Sequence, residues 1–348
     1  MISLFVELFP NIWSPLRLLN SYFFLAGGGA LFTAFLAWTL LPRYAHRLTT
    51  DKGRAHAINA DQSIGKPLGV GLIMVIIIAI CCVLFIPPHP RIYVLLVILL
   101  LASLIGYGDD KSGGYSEMAL GLWDLFLAAA AAVTILGVDP VQMWVPIWSQ
   151  IFVLPFWVSI PLFTGVIWLS INALNCNDGV DGLSGSLSLV SIAAIGLLHY
   201  SVLGNVFQAE YLLIPFNELG AVWSIMCAVF AGALAGYLWH NAPPSAMLMG
   251  DAGSRPVGLF LGMMVTASLN PFLIVVIGAL ILANGATGLM KLLLLRLFKL
   301  NIFSKIRFPL HDHARKNLDW SNSQVLVRFV LLHLAITAAL LLVILKVR

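Results

Sequence analysis

Ten apolar runs, each close to the length of a bilayer-crossing helix, fix what this chain can fold into. They fall at about 20–42, 68–87, 92–108, 119–137, 151–171, 183–203, 219–239, 256–270, 271–295 and 324–346. A spanning helix needs about 20 predominantly apolar residues at about 1.5 Å each, and charge clusters or Pro and Gly punctuation separate the runs. Only 10% of the residues are charged and 60% are hydrophobic, against about 25% charged in soluble domains. The expected fold is therefore all-α: one polytopic membrane domain spanning 1–348, with about ten transmembrane helices.

Basic residues orient such a bundle, because Lys and Arg are retained on the cytoplasmic side. Of 19 basic residues, all but Arg17, Arg91, Lys346 and Arg348 fall in or beside the segments 43–67, 109–118, 172–182, 240–255 and 296–323. These segments are predicted to be cytoplasmic and both termini periplasmic. The net charge of +4 is explained by this bias, so no nucleic-acid partner is required. No small-residue cleavage pattern follows Arg17, and Cys81, Cys82, Cys176 and Cys227 have neither disulfide-framework nor zinc-type spacing. The segments 138–150, rich in Trp and Pro, and 204–218 read as interfacial loops on the other side.

Carboxylates gather in the same segments, which orientation rules do not require. The span ending Gly106-Tyr107-Gly108 is followed by Asp109-Asp110-Lys111; adjacent acids repel, so a cation is expected beside them. Next comes Asn172-x-x-Asn175-x-x-Asp178-Gly179-x-Asp181-Gly182. On a continued helix Asn172, Asn175 and Asp178 would share a face that Asp181 extends, and polar clusters at a span end are usually functional.

A third motif, His240-Asn241 followed by Gly250-Asp251-Ala-Gly253-Ser254-Arg255, precedes a span whose N-terminus is expected to present free N–H groups to an anion. Asp251 is a hard-oxygen ligand suited to Mg²⁺. The fourth, Pro309-Leu310-His311-Asp312-His313-Ala-Arg315-Lys316, reads as a metal or phosphate loop. With Lys66, Lys111 and Arg255, these groups supply what a diphosphate needs as charge moves to its leaving oxygen.

Taken in this order, the motifs from about Lys66 to Arg328 resemble the polyprenyl-phosphate N-acetylhexosamine-1-phosphate transferase superfamily. The Pro-Leu-His-x-His run at 309–313, with Trp320 and Val327-Arg328-Phe329, is similar to its phospho-N-acetylmuramoyl-pentapeptide transferase branch. The resemblance implies a bacterial inner-membrane enzyme whose active site faces the cytoplasm. It implies Mg²⁺ bound by Asp251, Asp109 and Asp110, catalysis by Asp109, Asp110, Asp178, Asp251 and His311, and substrate binding by Lys66, Lys111, Asn172, Asn175, Asp181, Asn241 and His313. Asn241 matches a uridine-side contact. The sequence departs from the family pattern at Asp312, where a histidine is usual, at Leu68, where threonine is common, and at Leu248, where phenylalanine is common.

The implied reaction joins undecaprenyl phosphate to the β-phosphorus of UDP-MurNAc-pentapeptide and expels UMP. The resemblance also implies membrane lipid as surroundings and a homodimer. Two alternatives stay open at this level. UDP-GlcNAc is the donor in the neighbouring branch, and a transporter or a silent scaffold would also place acids in a membrane protein, although a transporter should bury them near the midplane.

Overall fold

The computed structural model describes residues 1–2, 6, 18–53, 63–145, 148–300 and 302–346. Arg17, Arg54, Asp61 and Arg348 lie outside the described residues. The helices are α1 (Tyr22–Ala45), α2 (Gly71–Phe85), α3 (Pro90–Ser112), α4 (Glu117–Leu136), α5 (Phe156–Asn175), α6 (Leu183–Leu203), α7 (Val206–Tyr211), α8 (Gly220–Asn241), α9 (Asp251–Ala267), α10 (Leu273–Ile277), α11 (Ala279–Phe298), α12 (Leu310–Asn317) and α13 (Asn322–Lys346). Among the described residues, eight helices (α1, α3, α4, α5, α6, α8, α11 and α13) are long and apolar enough to cross a membrane. The chain is a multi-pass, predominantly helical membrane protein, as its apolar runs require.

The other two expected spans are present but short. The run 68–87 yields only the 15 residues of α2, because Pro67 and Leu68 pair as an extended strand (β2) with Thr49–Thr50 (β1). The run 256–270 becomes α9, which starts five residues earlier and has every one of its 17 residues buried. It is the axis of the bundle, packed against α3, α4, α5, α6 and α2. In lipid, helices associate through close backbone approach rather than an apolar driving force. At Gly106 of α3 a Cβ would come within 2.3 Å of the Asp251 carbonyl oxygen, so only glycine lets α3 reach the start of α9.

Three boundaries differ from the sequence-based expectation. The loop at 138–150 and the start of the fifth span form a hairpin, β3 (Val141–Val145) and β4 (Trp148–Leu154), and α5 begins only after Pro155. Val141, Met143 and Val145 lie opposite Leu154, Phe152 and Trp148, and β-branched and aromatic residues of this kind suit a strand pair. The run 271–295 breaks into α10 and α11, and α11 makes a π turn at Leu282–Ala286. The segment 204–218 contains the short helix α7.

The two ends of α9 sort the loops. At the Asp251 end, Leu248 bridges Leu68, Asp181 bonds Ser245, and Arg315 bonds Gly179, so the segments around 67, 110, 180, 245 and 312 meet. At the Ala267 end, Trp144 Nε1 donates to the Ser268 carbonyl and Asn217 Nδ2 to the Ala267 carbonyl.

Candidate active site

Asp109 and Asp110 end α3, and Asp251 begins α9. One carboxylate oxygen from each lies within 4.8 Å of the others, and this is the one such acidic group among the described residues. Their mutual repulsion is offset only in part. Asp110 receives the Asp251 N–H on Oδ1 at 3.0 Å and the Ala252 N–H on Oδ2 at 3.1 Å. It therefore caps α9 from another helix, the favourable placement for an anion at a positive dipole end. Gly250, at φ +66°, must lack a side chain because a Cβ would lie 2.3 Å from Asp110 Oδ2.

This corrects one expectation. The first N–H groups of α9 do not stand open to a substrate anion; Asp110 takes two of them, and those of Gly253 and Ser254 bond the Gly250 carbonyl. Gly253, Ser254 and Arg255 lie inside α9 rather than before it.

Asp251, 5% exposed, is held by its own helix. Arg255 Nε donates to Asp251 Oδ2 at 2.9 Å, and Arg255 Nη1 donates to Asp124 of α4. With the Asn175 oxygen facing Arg255 Nη2 at 3.2 Å, its nitrogen donates to Ser254 Oγ at 2.9 Å and Asp251 Oδ1 at 3.2 Å. Amide orientation follows from the bonding network, and this one uses every partner. Asn175 thus joins the carboxylate group directly. Asp124 is absent from the sequence-based site; a charged residue well inside an apolar run was its signal.

The expected single face of Asn172, Asn175, Asp178 and Asp181 does not form. The helix stops at Asn175 because Asn177, fully buried, turns its Nδ2 onto the Ala173 carbonyl at 2.6 Å and the Ile281 carbonyl at 2.9 Å. Asn172 donates back to Trp168 within α5. Asp178 lies in the following turn, outside the three-carboxylate group. Asp181 accepts from Ser245 through both its oxygens, at 2.8 and 3.0 Å, and Lys66 Nζ stands 3.9 Å from it while donating to Ser245 Oγ at 2.9 Å. Lys66, Asp181 and Ser245 form a second polar group on the loop that leads into Asp251.

Asn241 is 4% exposed and its amide is committed to the backbone: Oδ1 accepts from Gly182 N and Nδ2 donates to the Met247 carbonyl. In this structure it braces two loops. Lys111 is exposed at the end of α3. Leu68 and Leu248, two of the departures from the family pattern, sit against each other in a backbone bridge.

The histidine segment is a helix, α12, rather than a loop. His311, 2% exposed, accepts on Nδ1 from Asn284 Nδ2 at 3.0 Å, and its backbone N–H donates to Asn284 Oδ1. Asn284 also reaches Asn177, so the π turn of α11 brings one buried amide into register with both partners. The neutral ring must then carry its proton on Nε2, which points at Gly179. Burial lowers the His311 pKa to about 4, with Asp312 pulling upward and Arg315 downward. Asp312, the third departure, is paired with Arg315 at 2.6 Å and Arg307 at 3.7 Å, so its charge is met locally. Arg315 also donates to the Gly179 carbonyl at 3.2 Å, tying α12 to the Asp178 turn. His313 Nδ1 accepts from Arg307 N at 3.3 Å.

A bundle of membrane helices whose loops bring three carboxylates, two histidines and several cations to one end defines a membrane-embedded transferase class. Residues 92–269 match the family described as glycosyl transferase family 4. The phospho-N-acetylmuramoyl-pentapeptide-transferases of Treponema pallidum strain Nichols and of a second strain of Treponema pallidum subsp. pallidum are each 44% identical over 347 residues, covering 97% of this chain and 94% of theirs. The chain belongs to glycosyl transferase family 4, in its phospho-N-acetylmuramoyl-pentapeptide-transferase branch.

Proposed function

We propose that this protein transfers phospho-MurNAc-pentapeptide from UDP-MurNAc-pentapeptide to undecaprenyl phosphate, releasing UMP and forming the lipid-linked intermediate of peptidoglycan synthesis. The observation that carries the chemistry is the meeting of Asp109, Asp110 and Asp251 within 4.8 Å, and the near full-length identity to the Treponema enzymes favours the muramoyl donor over UDP-GlcNAc.

The donor set fits Mg²⁺: three hard oxygen ligands, close enough to share one ion, with excess negative charge. Bound there, Mg²⁺ would offset the charge of the diphosphate as the leaving oxygen separates. We assign Asp251, Asp109 and Asp110 to hold it. Lys66 and Lys111 would draw the phosphates, and the His311 Nε2–H would donate to an oxygen near the Asp178 turn. A phosphate monoester has its second pKa near 6, so the acceptor is largely ionised at neutral pH and needs positioning more than a base. Asp109 would take any residual proton, and Asp178 orients the donor in a direct displacement. The reaction belongs at the cytoplasmic rim of the inner membrane, where soluble UDP-sugars reach the loops that hold these groups.

The test is UMP release by the purified protein with Mg²⁺ and undecaprenyl phosphate, offered UDP-MurNAc-pentapeptide or UDP-GlcNAc. Turnover with the first and not the second is expected. Preference for UDP-GlcNAc would move the protein to the neighbouring branch, and solute flux without UMP would make it a transporter.

A further inference from the structure

Arg255 and Asp124 form an ion pair inside the bundle, 5% and 3% exposed. Asp124 lies about two turns into α4, and Arg255 one turn into α9. Charges within membrane segments are costly, and a buried ion pair is often no more stabilising than a well-packed apolar pair of similar volume. Two leucines would pin α4 to α9 at lower cost. The guanidinium contacts are unusually directed: Nε to Asp251, Nη1 to Asp124 and Nη2 to Asn175. Every edge of the cation is committed, and one edge carries the carboxylate assigned above to hold the metal.

A cation against Asp251 has two opposed effects. It fixes the plane of the carboxylate, which favours a preorganised ligand, and it cancels negative charge, which disfavours a second cation. We propose that Arg255 is a positioning residue for Asp251 and that Asp124 balances Arg255, so that Asp251 is held by a cation without losing the charge a divalent ion requires. The inference rests on the metal reading above and deepens it. The local formal charge makes the case. Asp251 shares the Arg255 guanidinium with Asp124, whose charge balances it, so the group of Asp109, Asp110 and Asp251 keeps its full anionic excess.

The test uses Mn²⁺ alone as probe, titrated into the purified full-length protein without substrates and followed by electron paramagnetic resonance, with thermal unfolding recorded on the same samples. Removing the Asp124 charge (Asp124→Asn) leaves Arg255 undivided on Asp251, so Mn²⁺ binding is expected to weaken roughly tenfold, the scale of one unit charge several Å away at an intermediate dielectric. The double variant Asp124→Asn with Arg255→Met, which removes both charges, is expected to return Mn²⁺ affinity to within about threefold of the unsubstituted protein. Its UMP release stays low because the carboxylate is no longer fixed. Should Asp124→Asn fail to fold, Arg255→Met alone carries the test: Mn²⁺ binds at least as tightly while UMP release falls.

A purely structural pin predicts lower thermal stability with Mn²⁺ affinity unchanged, and that result for Asp124→Asn overturns the inference. A double variant as weak in Mn²⁺ as the single one also overturns it, as does weaker binding in Arg255→Met. Asp251→Asn separates the two levels. If the unsubstituted protein binds no Mn²⁺, or Asp251→Asn binds it equally well, the metal site itself falls and this inference with it.

Discussion

The two ends of α9 are built from the same kinds of helix and loop but treat polar groups in opposite ways. At the Ala267 end the last carbonyls are met by neutral donors, Trp144 to Ser268 and Asn217 to Ala267, and hydrogen bonds of this kind contribute about 1 kcal/mol each. At the Asp251 end three carboxylates are pressed together, and the groups that meet them include Arg255, Asn175 and the backbone N–H groups of Tyr115, Asp251 and Ala252. One end is closed by neutral hydrogen bonds, whereas the other concentrates negative charge. Negative charge concentrated at a span end is a mark of function, and the contrast is sharper than any single motif.

Substitutions should separate the ends. Asp251→Asn keeps the shape and removes charge at the poised end, so UMP release is expected to fall by at least about 10³-fold with thermal stability little changed; near-normal turnover would erase the distinction. Asp110→Asn sits at the junction of structure and chemistry. The Asp251 and Ala252 N–H groups bond different oxygens of Asp110 and an asparagine turns an NH₂ donor toward one of them, so we expect about 10²-fold lower turnover together with a stability loss of about 1–2 kcal/mol from the weakened cap. Loss of one without the other would show that capping and chemistry are separable there. Trp144→Phe, at the satisfied end, is expected to cost about 1 kcal/mol in stability and to leave UMP release within roughly twofold.

The buried histidine gives an intermediate effect with a defined sign. Burial lowers the His311 pKa from 6.5 to about 4, so the unfolded chain takes up the proton first. The stability linked to the neutral ring is complete above about pH 6.5 and is lost progressively as pH falls toward 4. Thermal unfolding of the unsubstituted protein and of His311→Gln, compared across that window, should show a shallower acid dependence in the variant. Identical slopes would mean that the ring is not held neutral by its surroundings.

Most of the architecture is legible in the sequence because a bilayer leaves the backbone few choices. The ten runs mark where helices lie to within a few residues, except where local chemistry intervenes. At 141–154, strand pairing makes a hairpin from a segment that reads as an interfacial loop and the first residues of a span. At 282–286, Asn284 turns the helix inward to reach Asn177 and His311, a long-range partnership that periodicity does not encode. The carboxylate group is legible as three separate acids, and the structure brings Asp109, Asp110 and Asp251 together. Asn172, Asp178 and Asp181 read as one helical face, but Asn177 ends the helix and sends them to different partners. Asp124 is marked by being a charge inside an apolar run, but its meaning depends on Arg255, which lies 131 residues further along the chain. The capping of α9 by Asp110 is not foreseeable either, since it links residues 141 apart.

Everything here turns on whether Asp109, Asp110 and Asp251 act together on one divalent ion. Crystals soaked in Mn²⁺ and measured at the manganese absorption edge would locate it directly. The account predicts a single strong anomalous peak bounded by oxygens of all three carboxylates, lost in crystals of Asp251→Asn. A peak bound elsewhere in the bundle, or one that survives that substitution, would contradict it.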